Sequence, residues 1–145
     1  MPTVQDILAS KGSHVHAISP NATVLDAVQK MNQHKIGALA VMQDGRVIGM
    51  FTERDVLRRV VGEERSPSSM TVGETMTSEV ICICPDADLD EVSTVMKNRR
   101  IRHLPVCDDD GRLLGMISIG DLNAINATQQ EATIHFLNEY IYGRV

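Results

Sequence analysis

The sequence predicts an α+β fold in which two β-α-β-β-α repeats pack about a pseudo-twofold axis. The first observation is a duplicated motif: residues 49–55 and 115–121 both read glycine, two apolar residues, a hydroxyl residue, two further residues and aspartate. The second is an Asp-Gly pair between apolar runs, at 44–45 and again at 110–111, which is a strong hairpin signal. Each hairpin also follows a segment with helical periodicity, so the same unit occurs twice.

Each repeat opens with a short amphipathic helical turn, predicted over residues 3–8 and 71–76. A short strand follows, near 16–18 in the first repeat and over 80–84 in the second. Proline comes directly or shortly after each strand and ends it, because proline cannot donate to a ladder. The two copies therefore begin in the same way.

A helix follows each short strand. Thr23 is the predicted N-cap of the first helix, with Asp26 placed to complete a capping box, and Asp88 is the predicted N-cap of the second. Apolar residues at helical spacing predict one buried face on each helix. These residues are Val24, Val28 and Met31 in the first copy and Leu89, Val92 and Met96 in the second.

A strand pair and a closing helix complete each repeat. The predicted strands are 38–42 with 46–51 and 104–107 with 112–117. Pro105 lacks an amide donor, which places its strand at a sheet edge or makes the strand begin there. The predicted closing helices are 55–61 and 121–125.

We predict repeat 1 at residues 1–62, a polar linker at 63–70, repeat 2 at 71–127 and a C-terminal helix at 128–145. One repeat alone would bury too little apolar surface to be stable, so the two should cover each other's sheet faces. That packing creates two equivalent clefts where the repeats meet. The C-terminal helix is apolar enough to dock on its own module or on a partner chain.

Composition narrows the class of protein. The 145 residues are 43% hydrophobic and 23% charged, as in a soluble globular protein. No apolar run reaches the roughly 20 residues of a membrane helix, and the N-terminus does not resemble a signal peptide, so we expect a cytoplasmic protein. The net charge of −5 and the absence of tryptophan make nucleic acid an unlikely partner, although residues 97–102 form a basic run.

Cysteine and histidine do not predict a metal site. The odd number of cysteines argues against a disulfide framework, and we expect Cys82, Cys84 and Cys107 to be buried reduced thiols. His14 and His16 are expected to be a loop residue and a strand-start residue rather than ligands. The sequence also contains neither a phosphate-binding glycine loop nor a convincing nucleophile–base pair, so no catalytic residue is predicted.

The repeated order of strand, helix, hairpin, motif and helix resembles the cystathionine-β-synthase (CBS) domain pair, or Bateman module, of the stand-alone bacterial type. The marks are residues 49–56, 101–106 and 115–122, and the resemblance covers 3–61 and 71–126. It implies a non-catalytic regulatory module that binds AMP, ADP, ATP, NAD or S-adenosylmethionine. Such modules commonly form homodimers, and with no attached domain the regulated target would be a separate protein.

The duplicated motif suits a nucleotide. A carboxylate can accept two hydrogen bonds from the ribose diol, which makes Asp55 and Asp121 the candidates. Thr52 and Ser118 stand at a helix start, where free amides favour a phosphate. The same spacing also describes a plain N-cap with its N3 partner, and one residue can serve both purposes.

By the resemblance, each cleft combines the motif of one repeat with the early loop and strand of the other. One cleft would place Met116, Ser118 and Asp121 opposite Ser19, Ala22, Ile36, Gly37 and Ala38. The other would place Met50, Thr52, Arg54 and Asp55 opposite Cys84, Ile101, Arg102 and His103. The second cleft is expected to be the more cationic and to favour ADP, ATP or a dinucleotide, whereas small residues leave room for a purine in the first.

Three functions remain in competition at this point. The first is a module that senses adenosine-containing ligands and relays their presence to a partner. The second is a ligand-independent structural or adaptor module that dimerises. The third is a nucleic-acid binder that uses the basic run, against which the acidic net charge counts.

Overall fold

A computed structural model describes residues 2–127 of the chain, so the predicted helix at 128–145 lies outside the described residues. The helices are α1 Val4–Lys11, α2 Val24–His34, α3 Glu53–Asp55, α4 Val72–Thr75, α5 Leu89–Arg99 and α6 at 119–127. The strands are β1 Ala17–Ile18, β2 Ala38–Gln43, β3 Arg46–Thr52, β4 His103–Cys107 and β5 Leu113–Ser118. A π-helical segment, Val56–Val61, continues α3, and a 3₁₀ turn covers Pro67–Ser69. Within residues 2–127, no helix has the length and apolar character needed to cross a bilayer.

The first sheet has the order β1-β2-β3, with β1 parallel to β2 and β2 antiparallel to β3. Asp44 and Gly45 form the turn between β2 and β3, with φ values of 52° and 77°. Two successive positive φ angles are what a tight hairpin turn requires, because they match the twist of the strands. The Asp-Gly prediction of a hairpin is confirmed in this repeat.

The second sheet contains β4 and β5 in antiparallel pairing, which confirms the second hairpin. The predicted strand at 80–84 is wrong, because only Ile83 pairs, through one parallel bridge to Val106. The amide of Ile83 donates to the carbonyl of Pro105 at 2.9 Å. In a parallel ladder the next bonds on either side would come from the amides of Pro85 and Pro105, and proline has no amide hydrogen.

The caps of the two long helices are as predicted. Thr23 Oγ1 accepts from the amide of Asp26 at 3.1 Å, and the Asp26 carboxylate accepts from the amide of Thr23 at 3.3 Å. Asp88 Oδ1 accepts from the amide of Glu91 at 2.7 Å at the start of α5. Each cap satisfies an amide that the helix itself leaves without a partner.

The short helices α1 and α4 each pack on the repeat that they do not precede. Val4, Ile7 and Leu8 of α1 are buried in one core with α5, β4 and β5. Met70 and Val72, at the start of α4, are buried in the other core with α2, β2 and β3. The two repeats therefore exchange their first elements, and neither core is complete without the other half of the chain.

Backbone hydrogen bonds fix this exchange in the same way on both sides. The amide of Val72 donates to the carbonyl of Ala22 at 2.8 Å, and the amide of Val4 donates to the carbonyl of Ala87 at 3.0 Å. Thr23 pairs with Thr71, and Thr3 pairs with Asp88, each as an isolated antiparallel bridge. These buried bonds make the position of each short helix specific.

The first glycine of each duplicated motif makes room for the exchanged segment. A Cβ atom at Gly115 would lie 2.6 Å from Leu8 Cδ2. A Cβ atom at Gly49 would lie 2.5 Å from Met76 Sδ and 2.9 Å from the carbonyl oxygen of Thr77. Leu8 and Met76 occupy equivalent positions in the two copies, so the repeated glycine has a packing reason that is separate from any ligand.

A third cluster joins the sheets of the two repeats. Ala38, Ala40 and Met50 are its buried members, and Met116 and Leu113 of the second repeat pack against them. The motif ends of β3 and β5 are therefore held close to the opposite repeat. This contact positions the two pockets described below.

We expect Gly115→Ala to destabilise the protein by about 1–3 kcal/mol, because the added methyl overpacks the contact with Leu8. Gly49→Ala should cost more, since the carbonyl of Thr77 cannot rotate away as a side chain can. Gly120→Ala is the matched control, because its nearest atom is Ser118 Oγ at 3.5 Å. Denaturant unfolding measures the three free energies, and equal values for Gly49→Ala and Gly120→Ala would contradict this account.

Candidate functional site

Two pockets lie where the repeats meet, and each is lined by residues from one copy of the duplicated motif. We call them the Thr52 pocket and the Ser118 pocket after the hydroxyl residue that lines each one. Their volumes are about 220 Å³ and 320 Å³. Gly37 and His103 line both pockets, so the two are neighbours across the junction.

The Thr52 pocket contains seven of the eight residues predicted for its cleft. These are Met50, Thr52, Arg54, Asp55, Ile101, Arg102 and His103. Cys84 is the exception: it is exposed outside the pocket, and its carbonyl accepts from the amide of Ala87 at 3.1 Å. The motif of repeat 1 and the start of β4 do face each other, as predicted.

The Ser118 pocket contains five of the eight residues predicted for its cleft, which are Ile36, Gly37, Ala38, Met116 and Ser118. Asp121 does not line the cavity but bonds to Lys11, which does. Ser19 and Ala22 lie outside the pocket, because the loop after β1 accepts backbone hydrogen bonds from the start of α4. The Ser19 hydroxyl accepts from the amide of Asn21 at 3.1 Å, and Ala22 packs against the core formed by α2, β2 and β3.

Sequence reasoning missed several residues that line the pockets. Thr77, Glu79, Val80 and Ile81 form one wall of the Thr52 pocket, and they come from the segment that leads into the strand predicted at 80–84 and from its first two residues. Glu53 and Arg100 also line that pocket, and Lys11, His14, Val15, His16 and Lys35 line the Ser118 pocket. One signal was available: extending the match of residues 3–8 with 71–76 by three positions places Lys11 opposite Glu79.

The charges of the two pockets are the reverse of the expectation that the Thr52 pocket is the more cationic. Its arginines, 54, 100 and 102, are matched by Glu53, Asp55 and Glu79. Lys11 and Lys35 line the Ser118 pocket, and among residues 2–127 no carboxylate lines it. The reversal arises because Lys11 and Glu79 occupy equivalent positions after the exchange. The Ser118 pocket is therefore the better site for an anionic group.

Asp55 is buried and its carboxylate is fully engaged. Its exposed fraction is 5%. Oδ2 accepts from the amide of Thr52 at 2.9 Å and from its hydroxyl at 3.3 Å, while Oδ1 accepts from the Thr77 hydroxyl at 3.0 Å. In this arrangement the residue caps α3 and ties the repeat-1 motif to the segment after α4. A ribose diol would have to replace the Thr77 hydroxyl to reach it.

Asp121 is more accessible and is paired with a cation. Its Oδ2 accepts from Lys11 Nζ at 2.8 Å and from the Ser118 amide at 2.8 Å and hydroxyl at 3.1 Å. Burial favours the neutral acid, but the hydrogen bonds from Lys11 and Ser118 outweigh it and hold the pKa of Asp121 below its usual value. The carboxylate is therefore ionised at neutral pH. It places a negative and a positive group side by side at the edge of the pocket.

His103 stands between the two pockets as a neutral side chain. Burial lowers its pKa from the usual 6.5, nearby Glu53 opposes that shift, and Arg102 reinforces it. A neutral imidazole can both donate and accept a hydrogen bond. It can therefore contact polar groups in either pocket without adding charge.

The remaining histidines and the cysteines form no metal centre in the part of the chain from residue 2 to 127. The His16 ring stacks on that of His34, with the ring centroids 4.0 Å apart, and meets His14 edge to face. The expectation of buried thiols is correct for Cys107 and wrong for Cys82 and Cys84, which are exposed because their segment forms only one bridge.

Comparison with known proteins agrees with this architecture. The family model described as "CBS domain" matches residues 4–62 and again 72–125. The CBS domain-containing protein YhcV of Bacillus subtilis is 33% identical over 91% of this chain and 90% of its own length. The mitochondrial CBS domain-containing protein CBSX3 of Arabidopsis thaliana is 37% identical over 97% of this chain and 72% of its own length.

A solved structure supports the same conclusion. A protein with CBS domains from Burkholderia ambifaria superposes with a TM-score of 0.83 at 40% sequence identity. The match covers 88% of this chain and 96% of the length of that protein chain. Proteins with these domains are in general non-catalytic regulatory modules. From the duplicated fold, the pair of pockets and these matches, the chain belongs to the CBS-domain family and contains two copies of the domain.

Proposed function

We propose that this protein is a non-catalytic sensor of adenosine-containing ligands, which it binds between its two CBS repeats and reports to a separate partner protein. CBS domains in general bind adenosine ligands, and CBS-domain proteins often oligomerise. AMP, ADP, ATP, NAD and S-adenosylmethionine are the candidate ligands. The proposed site residues are those predicted for the two clefts, without Ser19, Ala22 and Cys84.

One observation supports this proposal most directly. At the edge of the Ser118 pocket, the ionised carboxylate of Asp121 lies 2.8 Å from the ammonium group of Lys11, which lines the pocket. A carboxylate suits the hydroxyls of a ribose, and a cation suits a phosphate. Side by side, the two groups match the two polar parts of a nucleotide. The apolar side chain of Met116 can cover the base, and the small residues Gly37 and Ala38 leave room for it.

The pockets also suit a relay. Each pocket has walls from both repeats, because each motif faces the opposite half of the chain. A ligand that contacts both walls stabilises one relative arrangement of the repeats over others. A partner protein that recognises that arrangement would then respond to the ligand. We propose that the protein acts in this way as a homodimer in the cytoplasm.

The adaptor alternative is favoured by one specific observation. Leu57 and Val61, on the π-helical segment that closes repeat 1, are 65% and 63% exposed. Apolar side chains on one exposed segment are typical of a surface that another chain covers. This surface could support dimerisation whether or not a ligand is bound. The ligand experiment below therefore separates the two functions.

Adenine nucleotides should stabilise the folded protein. A ligand that binds only the folded state at 100 times its Kd adds about 2.7 kcal/mol, which raises Tm by several degrees. We expect this increase for at least one of AMP, ATP, NAD and S-adenosylmethionine in a thermal-shift measurement, with guanosine monophosphate as the control. If millimolar concentrations of all four leave Tm unchanged, the sensing function is excluded and the adaptor function stands.

Lys11 should make the Ser118 pocket prefer ligands that carry phosphate. We expect Lys11→Met to weaken AMP binding about tenfold, the equivalent of one lost charge-assisted bond of about 1.4 kcal/mol. Adenosine should bind the variant at least as tightly as it binds the natural protein, because Lys11 no longer competes with the ribose for Asp121. Isothermal titration calorimetry measures both, and Lys97→Met is the control because that exposed lysine lies outside both pockets. Equal losses for AMP and adenosine would contradict this role.

The exposed apolar pair should contribute to dimerisation. We expect the double variant Leu57→Glu with Val61→Glu to shift the protein from dimer toward monomer, because four carboxylates would face each other in a symmetric contact. Light scattering after size-exclusion chromatography measures the mass. The control is Arg58→Glu, which adds charge at an exposed neighbouring position that is not apolar. An unchanged dimer in the double variant would place the interface elsewhere.

A further inference from the structure

Two cysteines that the proposed function does not use have their sulfur atoms in contact. Cys107 ends β4 and is buried, whereas Cys82 is exposed in the segment that precedes the single bridge at Ile83. Cys107 Sγ donates a hydrogen bond to Cys82 Sγ at a separation of 2.8 Å. A disulfide bond is about 2.05 Å long, so these sulfurs are less than about 1 Å from bonding distance.

We propose that Cys82 and Cys107 are a redox modification site: a peroxide joins them in a disulfide that fixes one wall of the Thr52 pocket, and a dithiol reductant restores the two thiols. The proposal stands on the contact between the sulfurs and on the place of Cys82 in the chain. It does not depend on which ligand the pockets bind.

The difference in exposure sets the order of the reaction. Peroxide reaches Cys82 from solvent, whereas Cys107 is buried. Burial and the neighbouring Cys82 raise the pKa of Cys107 to about 12, so Cys107 remains a protonated thiol at neutral pH. The exposed cysteine is therefore the one that is oxidised first, and the buried cysteine resolves the product.

The chemistry balances with peroxide as the only oxidant. The sulfur of Cys82 attacks one peroxide oxygen, the O–O bond breaks, and Cys82 becomes a sulfenic acid with release of one water. The sulfur of Cys107 then attacks the sulfur of Cys82, the S–O bond breaks, and the departing hydroxide takes the Cys107 proton to form a second water. Two thiols and one hydrogen peroxide give one disulfide and two waters.

The consequence for the pocket follows from the segment that contains Cys82. Residues 78–82 form no helix or strand, and one bridge on each side holds them, Met50 with Thr77 and Ile83 with Val106. Glu79, Val80 and Ile81 in this segment line the Thr52 pocket. A covalent link from Cys82 to β4 removes conformational freedom from that wall. Oxidation would therefore change the affinity of the Thr52 pocket for its ligand.

Cys84 provides an internal control. It is exposed in the same part of the chain, two residues beyond Cys82, yet the sulfur contact is between Cys82 and Cys107. A purely solvent-driven oxidation would therefore modify Cys84 at least as readily as Cys82. A built dithiol site would instead select one pair among the three cysteines of the chain.

The test treats the full chain with hydrogen peroxide at a small molar excess and counts free thiols after denaturation. We expect the count to fall from three to one with loss of two hydrogen atoms in mass, and peptide mapping to find a link between Cys82 and Cys107. Dithiothreitol should restore all three thiols. Cys84→Ser should form the link as the natural protein does, whereas Cys82→Ser, at an exposed position that tolerates serine, should form none.

Two results would overturn the proposal. The first is oxidation in which the link joins Cys84 or in which Cys82 and Cys107 are each oxidised without a link. The second concerns hydrogen–deuterium exchange. We expect the amides of residues 78–82 to exchange more slowly in the oxidised protein. If the link forms and their exchange rates are unchanged, oxidation does not fix the pocket wall.

Discussion

The exchange of the short helices α1 and α4 is the constraint on which the rest of this structure depends. Leu8 and Met76 insert where the other repeat has a glycine, at 115 and at 49. A repeat of this size buries too little apolar surface alone, and the exchange makes each core a product of both halves. Because the backbone bonds of Val4 and Val72 are also made across the junction, the packing of each repeat depends on the other half of the chain.

The same exchange creates the difference between the pockets. It brings the C-terminal end of α1 to one motif and the segment after α4 to the other, so Lys11 and Glu79 reach equivalent places with opposite charge. Duplication alone would give two identical sites. Substitutions between the two copies, of which Lys11 against Glu79 is one, give one pocket that favours an anion and one in which acidic and basic groups balance.

Capping and binding are not competing explanations for the duplicated motif. The backbone amides of Ser118 and Thr52 both donate to the carboxylate of the aspartate three residues later, which is one of the two bonds of a capping box. Asp55 is also held by Thr77 and is buried, whereas Asp121 is held by Lys11, whose side chain is partly exposed. The cap fixes the carboxylate in place, and the third partner decides how readily a ligand can reach it.

The sequence by itself determined the duplicated unit, the two hairpins and the caps at Thr23 and Asp88. Hairpin turns and helix caps depend on contacts between residues a few positions apart, so local sequence patterns predict them. Of the sixteen residues that the family resemblance predicted for the two clefts, twelve line the pockets. Only the tertiary structure decided that residues 80–84 form one bridge, since two prolines remove donors from opposite strands. It alone decided that Lys11 and Glu79 line the pockets, because packing between distant segments, and not local pattern, brings each of them to the motif of the other repeat.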